Sequence, residues 1–371
     1  MEQFQRKWEP VSRPELRYDN ELGGFRRARF RQKPSSQIEI PVTALLYPTP
    51  DNPLPPVHMD GTFKTHDGLD LRYAVFKGKT SPPKGTVVLV QGRNETIEKY
   101  AETITEITGA GLWVATFDLR GQGGSPRLLK NKRLGHVRRF VDYQKDLDAF
   151  FEQVVLPDTK LPFFLVAHST GGLIALASAR QLANRVERIV VSGPFVGLAA
   201  IKPSPRVTRF VARLMCLIGL GGRASRKDKE FSNFAYNEVT SDPVRFERNK
   251  AIFTAHPELS VGPPTWRWLH ECLSMGRKVV SPTYLQSITV PTLVLGPTAD
   301  RIASYPEMER MSRYFRAGKL IPINGAGHEV FQEVDKYRAQ AMAAVLAFIP
   351  GGFAEPVRLI EEDDTPEKAT G

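Results

Sequence analysis

The chain has 371 residues, 41% hydrophobic and 25% charged, a balance that excludes wholesale disorder and allows one large core or two modest ones. The formal net charge is +11 and unevenly spread, with one basic concentration at Arg26, Arg27, Arg29, Arg31 and Lys33, another from Lys202 through Lys229, and an acidic tail. No apolar run approaches the length of a membrane span, and Cys216 and Cys272 are too few and too isolated for a disulfide framework or a zinc site.

Residues 1–57 carry nine prolines among many charges and read as an irregular arm lying on the surface. The stretch Met1 to Lys7 lacks the apolar core of a signal peptide, so a cytoplasmic location is expected. Basic patches raise the local concentration of anionic partners. No nucleic-acid motif accompanies either run, which leaves peripheral contact with the inner face of an anionic membrane, or simply solvated surface.

Regularity begins with two alternating runs, Gly61 to Thr65 and Leu69 to Phe76, joined by His66-Asp67-Gly68, the pattern of a hairpin at an antiparallel sheet edge. Thr86 to Val90, Leu112 to Phe117, Phe163 to Ala167 and Arg188 to Val191 are continuous apolar runs, as in strands covered on both faces. Helical patterns over Ile97 to Gly109, Phe140 to Val155 and Gly171 to Asn184 separate them, which makes βαβ units and a mostly parallel sheet. The alternation stops from about Phe195 to Val280, where the chain is basic and partly amphipathic, and resumes with a strand at Thr292 to Leu295, a helix at Tyr305 to Phe315, a strand at Leu320 to Ile323 and a helix at Phe331 to Phe348. The predicted organisation is an arm (1–57), a first core segment (58–194), a helical cap inserted at 195–280, a second core segment (281–352) and a disordered acidic tail (353–371).

Phe163 to Gly172 reads as an apolar strand running into a serine flanked by small residues. A serine hydroxyl becomes a useful nucleophile only when a sharp strand-to-helix turn presents it beside a base and near N–H donors. Ser169 is the candidate, with Ala167 and Gly171 as the small residues two before and two after it; the usual pattern has glycine at both. A buried strand followed by a glycine-started helix is the plainer account of the same string.

Among seven histidines, His328 lies on a glycine-loosened loop after a late strand, at the sheet edge where the elbow also emerges. It is the expected general base. His168 adjoins the serine and is expected to leave the elbow on the opposite side, as packing. Asp300 follows the preceding strand and is the candidate orienting acid, its rival role being a helix cap before Ser304 and Tyr305; the loop from Ser192 to Gly197 offers no carboxylate in its place. Oxyanion donors are expected from the main-chain N–H of Thr170 and of Arg93, the latter in the loop after Val90. The glycine-rich turn Asp118 to Ser125 reads as structural support, since neither its spacing nor a following lysine fits a phosphate loop.

These residues together resemble the α/β-hydrolases of the bacterial lysophospholipase and monoacylglycerol lipase group. The likeness runs over roughly 60–350 through Gln91-Gly92-Arg93-Asn94-Glu95, Lys99-Tyr100-Ala101-Glu102, Asp118-Leu119-Arg120-Gly121-Gln122-Gly123, Ala167 to Gly172, Ala299-Asp300-Arg301 and Gly327-His328-Glu329. The family often has His-Gly where this chain has Gln91-Gly92, and Met where it has Thr170. The resemblance implies an α/β-hydrolase fold with a helical cap and a serine esterase without metal or other cofactor, acting on a small-molecule or lipid ester such as a lysophospholipid or monoacylglycerol. Thioesters, aryl esters, peptides or acyl transfer suit the same three groups, and a non-catalytic binding role is the alternative outside enzymes. Phe210, Val211, Leu214, Met215, Leu217 and Ile218 fall near one face of a helix that also carries Arg206, Arg209 and Arg213. That pattern suits lipid contact, or packing of the cap on the body.

Overall fold

The computed structural model describes residues 45–199, 204–228 and 233–349. The expectations for residues 1–44 and for the acidic tail lie outside this range.

Eight strands form one sheet in the order β1-β2-β4-β3-β5-β6-β7-β8. The hairpin β1 (Val57–Lys64) and β2 (Asp70–Phe76) is antiparallel, and β2 runs antiparallel to β4 (Trp113–Phe117). From there on, β3 (Thr86–Val90), β5 (Phe163–His168), β6 (Arg188–Ser192), β7 (Thr292–Pro297) and β8 (Gly318–Ile323) are parallel with β4. This is the α/β-hydrolase architecture expected from the sequence. Continuous apolar strands sit at the centre because both of their faces are covered: β3, β4 and β5 are buried at every position. β8 is an edge strand, half exposed, and tolerates Pro322 for that reason.

Period-two alternation sends side chains to two cores. Val88, Val90, Phe117, Leu165 and Ala167 face α2 (Phe140–Phe150) and α3 (Thr170–Ser178). Val87, Leu89, Val114, Phe164 and Val166 face α1 (Ala101–Gly109) and the C-terminal helix Asp335–Phe348. The helices are shorter than their apolar periods suggested. A 3₁₀ turn at Ile97–Tyr100 precedes α1, a π turn at Phe151–Val155 continues α2, and α3 gives way to turns after Ser178. Apolar spacing marks which face is buried, and local hydrogen-bond slips within that face leave no trace in it.

Between β6 and β7 the described chain is helical: α4 (Pro205–Leu217), α5 (Pro243–Ala255), α6 (Trp266–Val279) and α7 (Pro282–Gln286). Ser204, Asp242 and Thr265 cap the first three of these through side-chain oxygens, each accepting from a first-turn N–H. α8 (Tyr305–Ser312) and α9 (Asp335–Phe348) complete the fold.

A buried ion cluster ties the antiparallel edge to the parallel body. Arg72 of β2 donates to both oxygens of Glu98 (2.7 and 2.9 Å), to Asp118 after β4 (2.7 Å) and to the carbonyl of Leu45 (2.7 Å). With Leu46 buried and Asn52 donating to the carbonyl of Glu98 (2.7 Å), residues 45–57 are docked on the sheet edge through specific bonds. The supporting role expected of the Asp118 turn has a physical basis here: Asp118 also accepts from the N–H groups of Ile97 (3.1 Å) and Gly124 (2.7 Å).

Candidate active site

Ser169 stands between β5 and α3 with φ 51° and ψ −112°, a backbone conformation that L residues avoid. The turn is pinned to β6 on both sides: the Ser169 N–H donates to Ser192 (3.0 Å), and its carbonyl accepts from Phe195 (2.9 Å) and Leu173 (3.0 Å). Gly171 follows because a Cβ there would collide with the carbonyl oxygens of Val90, the last residue of β3, and of Gln91 just after it. Ala167, two residues before the serine, is fully buried between Val90 and Val191.

Three groups from three loops at the C-terminal ends of parallel strands form one hydrogen-bonded chain. Ser169 Oγ lies 2.8 Å from His328 Nε2, and His328 Nδ1 lies 2.7 Å from Asp300 Oδ2. The remaining carboxylate oxygen of Asp300 accepts from the N–H groups of Ile302 (2.7 Å) and Ala303 (2.9 Å), which fixes its plane. The rival capping role falls to Ser304, whose Oγ accepts from Glu307 at the start of α8. His328 is buried, which disfavours its charged form, but the charge and hydrogen bond of Asp300, assisted by Glu329 and Glu95, prevail and raise its pKa above the ordinary histidine value.

Arg93, Ser169, Thr170, Asp300 and His328 all border a single pocket of about 1660 Å³. The main-chain N–H groups of Arg93 and Thr170 have no acceptor among the described residues. His168 does not turn away as expected. Its ring lies 4.8 Å from that of His328, with Nδ1 3.1 Å from the carbonyl of Ser192, and burial lowers its pKa to about 4, so it is a neutral wall beside the imidazole of His328.

The bracing of the loop after β3 was not foreseen. Gln122 donates to the carbonyls of Gly92 (2.7 Å) and Glu95 (3.2 Å) and accepts from Asn94 (3.2 Å), so the glycine-rich turn after β4 holds this loop by side-chain bonds. Glu95 accepts from the N–H of Gly92, from Tyr100 (2.7 Å) and from Lys99 (2.9 Å). Lys99 reaches across to Glu329 (2.6 Å), beside His328, so one buried ammonium joins the Arg93 loop to the histidine loop. Burial works against the Glu95 carboxylate, but Lys99 and His168 outweigh it and lower its pKa to about 2. The sequence signal was slight: Glu95 and Lys99 stand four residues apart, a helical spacing for opposite charges, in a stretch that also carries Arg93, Glu98 and Glu102. A group of metal-ligating type, His66, Asp67 and Asp146, is occupied by Arg120, which pairs with both carboxylates.

A model of the family described as "Serine aminopeptidase, S33" matches residues 81–335. Lysophospholipase L2 of Escherichia coli (strain K12) is 29% identical over 303 residues, covering 78% of this chain and 86% of that protein. Monoacylglycerol lipase of Mycolicibacterium smegmatis is 26% identical over 273 residues, covering 72% and 89%. A soluble variant of monoglyceride lipase from Saccharomyces cerevisiae, solved with a substrate analog, superposes with a TM-score of 0.64 at 21% identity over 81% of this chain and 99% of that one.

Gly171→Ala tests how closely the elbow helix is held against β3. Because the added methyl group meets two main-chain oxygens that cannot rotate away, the variant is expected to lose about 1–3 kcal/mol of stability in urea denaturation.

Proposed function

The chain belongs to the serine aminopeptidase, S33, family of α/β-hydrolases, in its lysophospholipase and monoacylglycerol lipase group, and from that premise we propose that it hydrolyses the ester of a long-chain monoacyl lipid through an acyl-enzyme formed on Ser169. The observation that carries this reading is the unbroken Ser169–His328–Asp300 hydrogen-bond chain at the wall of a large pocket.

Ser169 Oγ attacks the ester carbonyl while its proton passes to His328 Nε2. Asp300 holds the ring so that Nδ1 carries the other proton, and it stabilises the imidazolium. The carbonyl oxygen becomes an oxyanion facing the N–H groups of Arg93 and Thr170. Collapse of the tetrahedral intermediate breaks the ester C–O bond, and His328 returns its proton to the leaving alcohol. Water then enters, gives its proton to the same imidazole and attacks the acyl carbon, releasing the fatty acid and restoring Ser169. Phe195, Leu198, Val211, Trp268 and Leu269 on the pocket lining supply apolar surface suited to an alkyl chain. The lysophospholipase and monoacylglycerol lipase relatives support a monoacyl lipid over a thioester, aryl ester or peptide.

The helices between β6 and β7 act in this reading as a cap that meets lipid. α4 exposes Phe210 by 67% and Leu217 by 73%, with Val207, Leu214 and Ile218 beside them, while Ala212 is buried on its inner side and Thr208 and Val211 border the pocket. An exposed apolar stripe flanked by Arg206, Arg209 and Arg213, with no acid in the helix, fits the surface of an anionic bilayer, from which a lipid has a short route to the pocket. Among the described residues no helix is long and apolar enough to cross a membrane.

A fluorophosphonate probe is expected to label the wild type and not Ser169→Ala; no labelling of the wild type, or labelling that persists in the variant, would overturn the mechanism. Since only the neutral imidazole accepts a proton, the raised pKa of His328 places the acidic limb of the kcat/KM profile above the ordinary histidine value near 6.5, whereas a limb below it would contradict the coupling to Asp300. In sedimentation with vesicles, binding is expected with phosphatidylglycerol present and to fall by about tenfold or more in the double variant Phe210→Ser, Leu217→Ser, with hydrolysis of a short water-soluble ester unchanged. Equal binding of that variant would remove α4 as the contact.

A further inference from the structure

We propose that Arg93 and Arg226, with Arg133 and Lys227 beside them on the pocket wall, form a subsite for a phosphate group, and that this subsite reads the phosphate in the head group of a monoacyl glycerophospholipid. The inference rests on the monoacyl-lipid reading above and deepens it by choosing the phosphate-bearing substrate over the uncharged one.

The triad and the oxyanion loop use the main chain of Arg93 and leave its guanidinium unexplained. That group lies over the ring of Trp268, 5.6 Å from the centroid, and one of its nitrogens donates to the carbonyl of Gly262. Its Nε is buried and has no hydrogen-bond partner, and no carboxylate pairs with it among the described residues. A strut that merely fastened the β3 loop to the 261–265 segment would need the Gly262 bond and the indole face. It would not need an unpartnered buried N–H, nor a second cation nearby.

That second cation is Arg226, which borders the same pocket and has no ion-pair partner among the described residues. Both side chains border that one pocket, and after burial the charge of Arg226 is the largest influence lowering the pKa of Arg93, to about 10. Positive charge here is under-neutralised. Asp228, the nearby carboxylate, is taken by Arg133 (3.0 Å), whose other nitrogen donates to Ser260 Oγ (2.8 Å). The remaining acids on the lining lie toward the catalytic side: Glu95 and Glu329 hold Lys99, Asp300 holds His328, and Glu238 adjoins Val239, whose carbonyl accepts from the N–H of Glu329. One buried guanidinium with no carboxylate paired to it, and an exposed one on the same wall whose neighbouring acid is engaged by Arg133, suit an oxyanion with several acceptor atoms, and a phosphodiester is such a group.

The placement also suits the substrate. The main chain of Arg93 stands where the ester carbonyl is proposed to react, and its side chain leads away from that point. In a monoacyl glycerophospholipid only the glycerol carbons separate the ester from the phosphate, a span that an arginine side chain covers.

The test compares two substrates with the same acyl chain, lysophosphatidylethanolamine and monoacylglycerol, each in neutral-detergent mixed micelles so that the interface carries the same charge. Wild type is expected to prefer the lysophospholipid. Arg226→Gln, a change at an exposed side chain, is expected to lower kcat/KM for it about tenfold, mainly through KM, and to leave monoacylglycerol within about twofold. Inorganic phosphate is expected to compete with the lysophospholipid in wild type and more weakly in the variant. Equal rates on both lipids in wild type, or equal loss on both in the variant, would overturn the proposal while leaving the hydrolase reading intact. Inhibition by inorganic phosphate without any preference for the lysophospholipid would overturn the head-group assignment, the site then serving a free anion. Hydrolysis of neither lipid would refute the monoacyl-lipid reading itself.

Discussion

The backbone of Ser169 is the constraint on which the rest depends. A residue with a side chain at φ 51° costs on the order of 1–3 kcal/mol and persists only where its surroundings over-determine it. Here they do. β5 is buried at every position, Ser192 and Phe195 hold the turn from β6, and Gly171 lets α3 approach the carbonyls of β3 more closely than any Cβ would permit. The strain lifts Oγ out of the strand path and aims it at an imidazole carried by a different loop. A relaxed turn at this point would return the hydroxyl to the local backbone, where serine side chains readily find partners.

An aimed serine is of no use unless the loops around it hold their positions, and that task falls to buried charge. Glu95, Lys99 and Glu329 are desolvated together, an arrangement whose Coulomb attraction barely offsets the cost of removing ions from water. Hydrophobic residues of similar size would stabilise the chain as well or better, but they would not fix register. Directional bonds do: the ammonium of Lys99 spans the Arg93 loop and the histidine loop, Gln122 braces the first of these, and Asp300 is locked by two N–H groups of its own loop. The same carboxylates raise the basicity of His328, so the bracing also sets its protonation. His168, kept neutral by burial, adds bulk against that ring without adding charge.

The sheet and the helices between β6 and β7 divide the work. Parallel strands deliver the reacting groups to one edge, as open α/β sheets do, while the segment between β6 and β7, its helices and the loops that join them, supplies most of the remaining pocket wall. α4 is two-sided for that reason, with Thr208 and Val211 toward the pocket and Phe210 and Leu217 in solvent. In the functional reading one surface meets the aggregate from which lipid comes and the other meets the single molecule withdrawn from it.

The strands, the buried centre of a mostly parallel sheet and the candidates Ser169, Asp300 and His328 were legible in the chain because each leaves a local mark. Continuous apolar runs mark strands covered on both faces, glycines mark turns, and a polar residue just past a strand's end marks the ligand-binding edge. Helix boundaries were less legible, since the 3₁₀ turn before α1 and the π turn after α2 keep the same apolar face. The position of His168 was not legible because its neighbour, the ring of His328, arrives on a separate loop that folds against the end of β5. Sequence by itself determined which chemical groups exist and which strand end each one leaves, because these follow from local periodicity and turn chemistry. Only the tertiary structure decided that Lys99 would join Glu95 to Glu329, that Gln122 would brace the Arg93 loop and that the guanidinium of Arg93 would lie on Trp268. Those contacts join residues brought together by the packing of separate loops, and no local pattern encodes a distance across the fold.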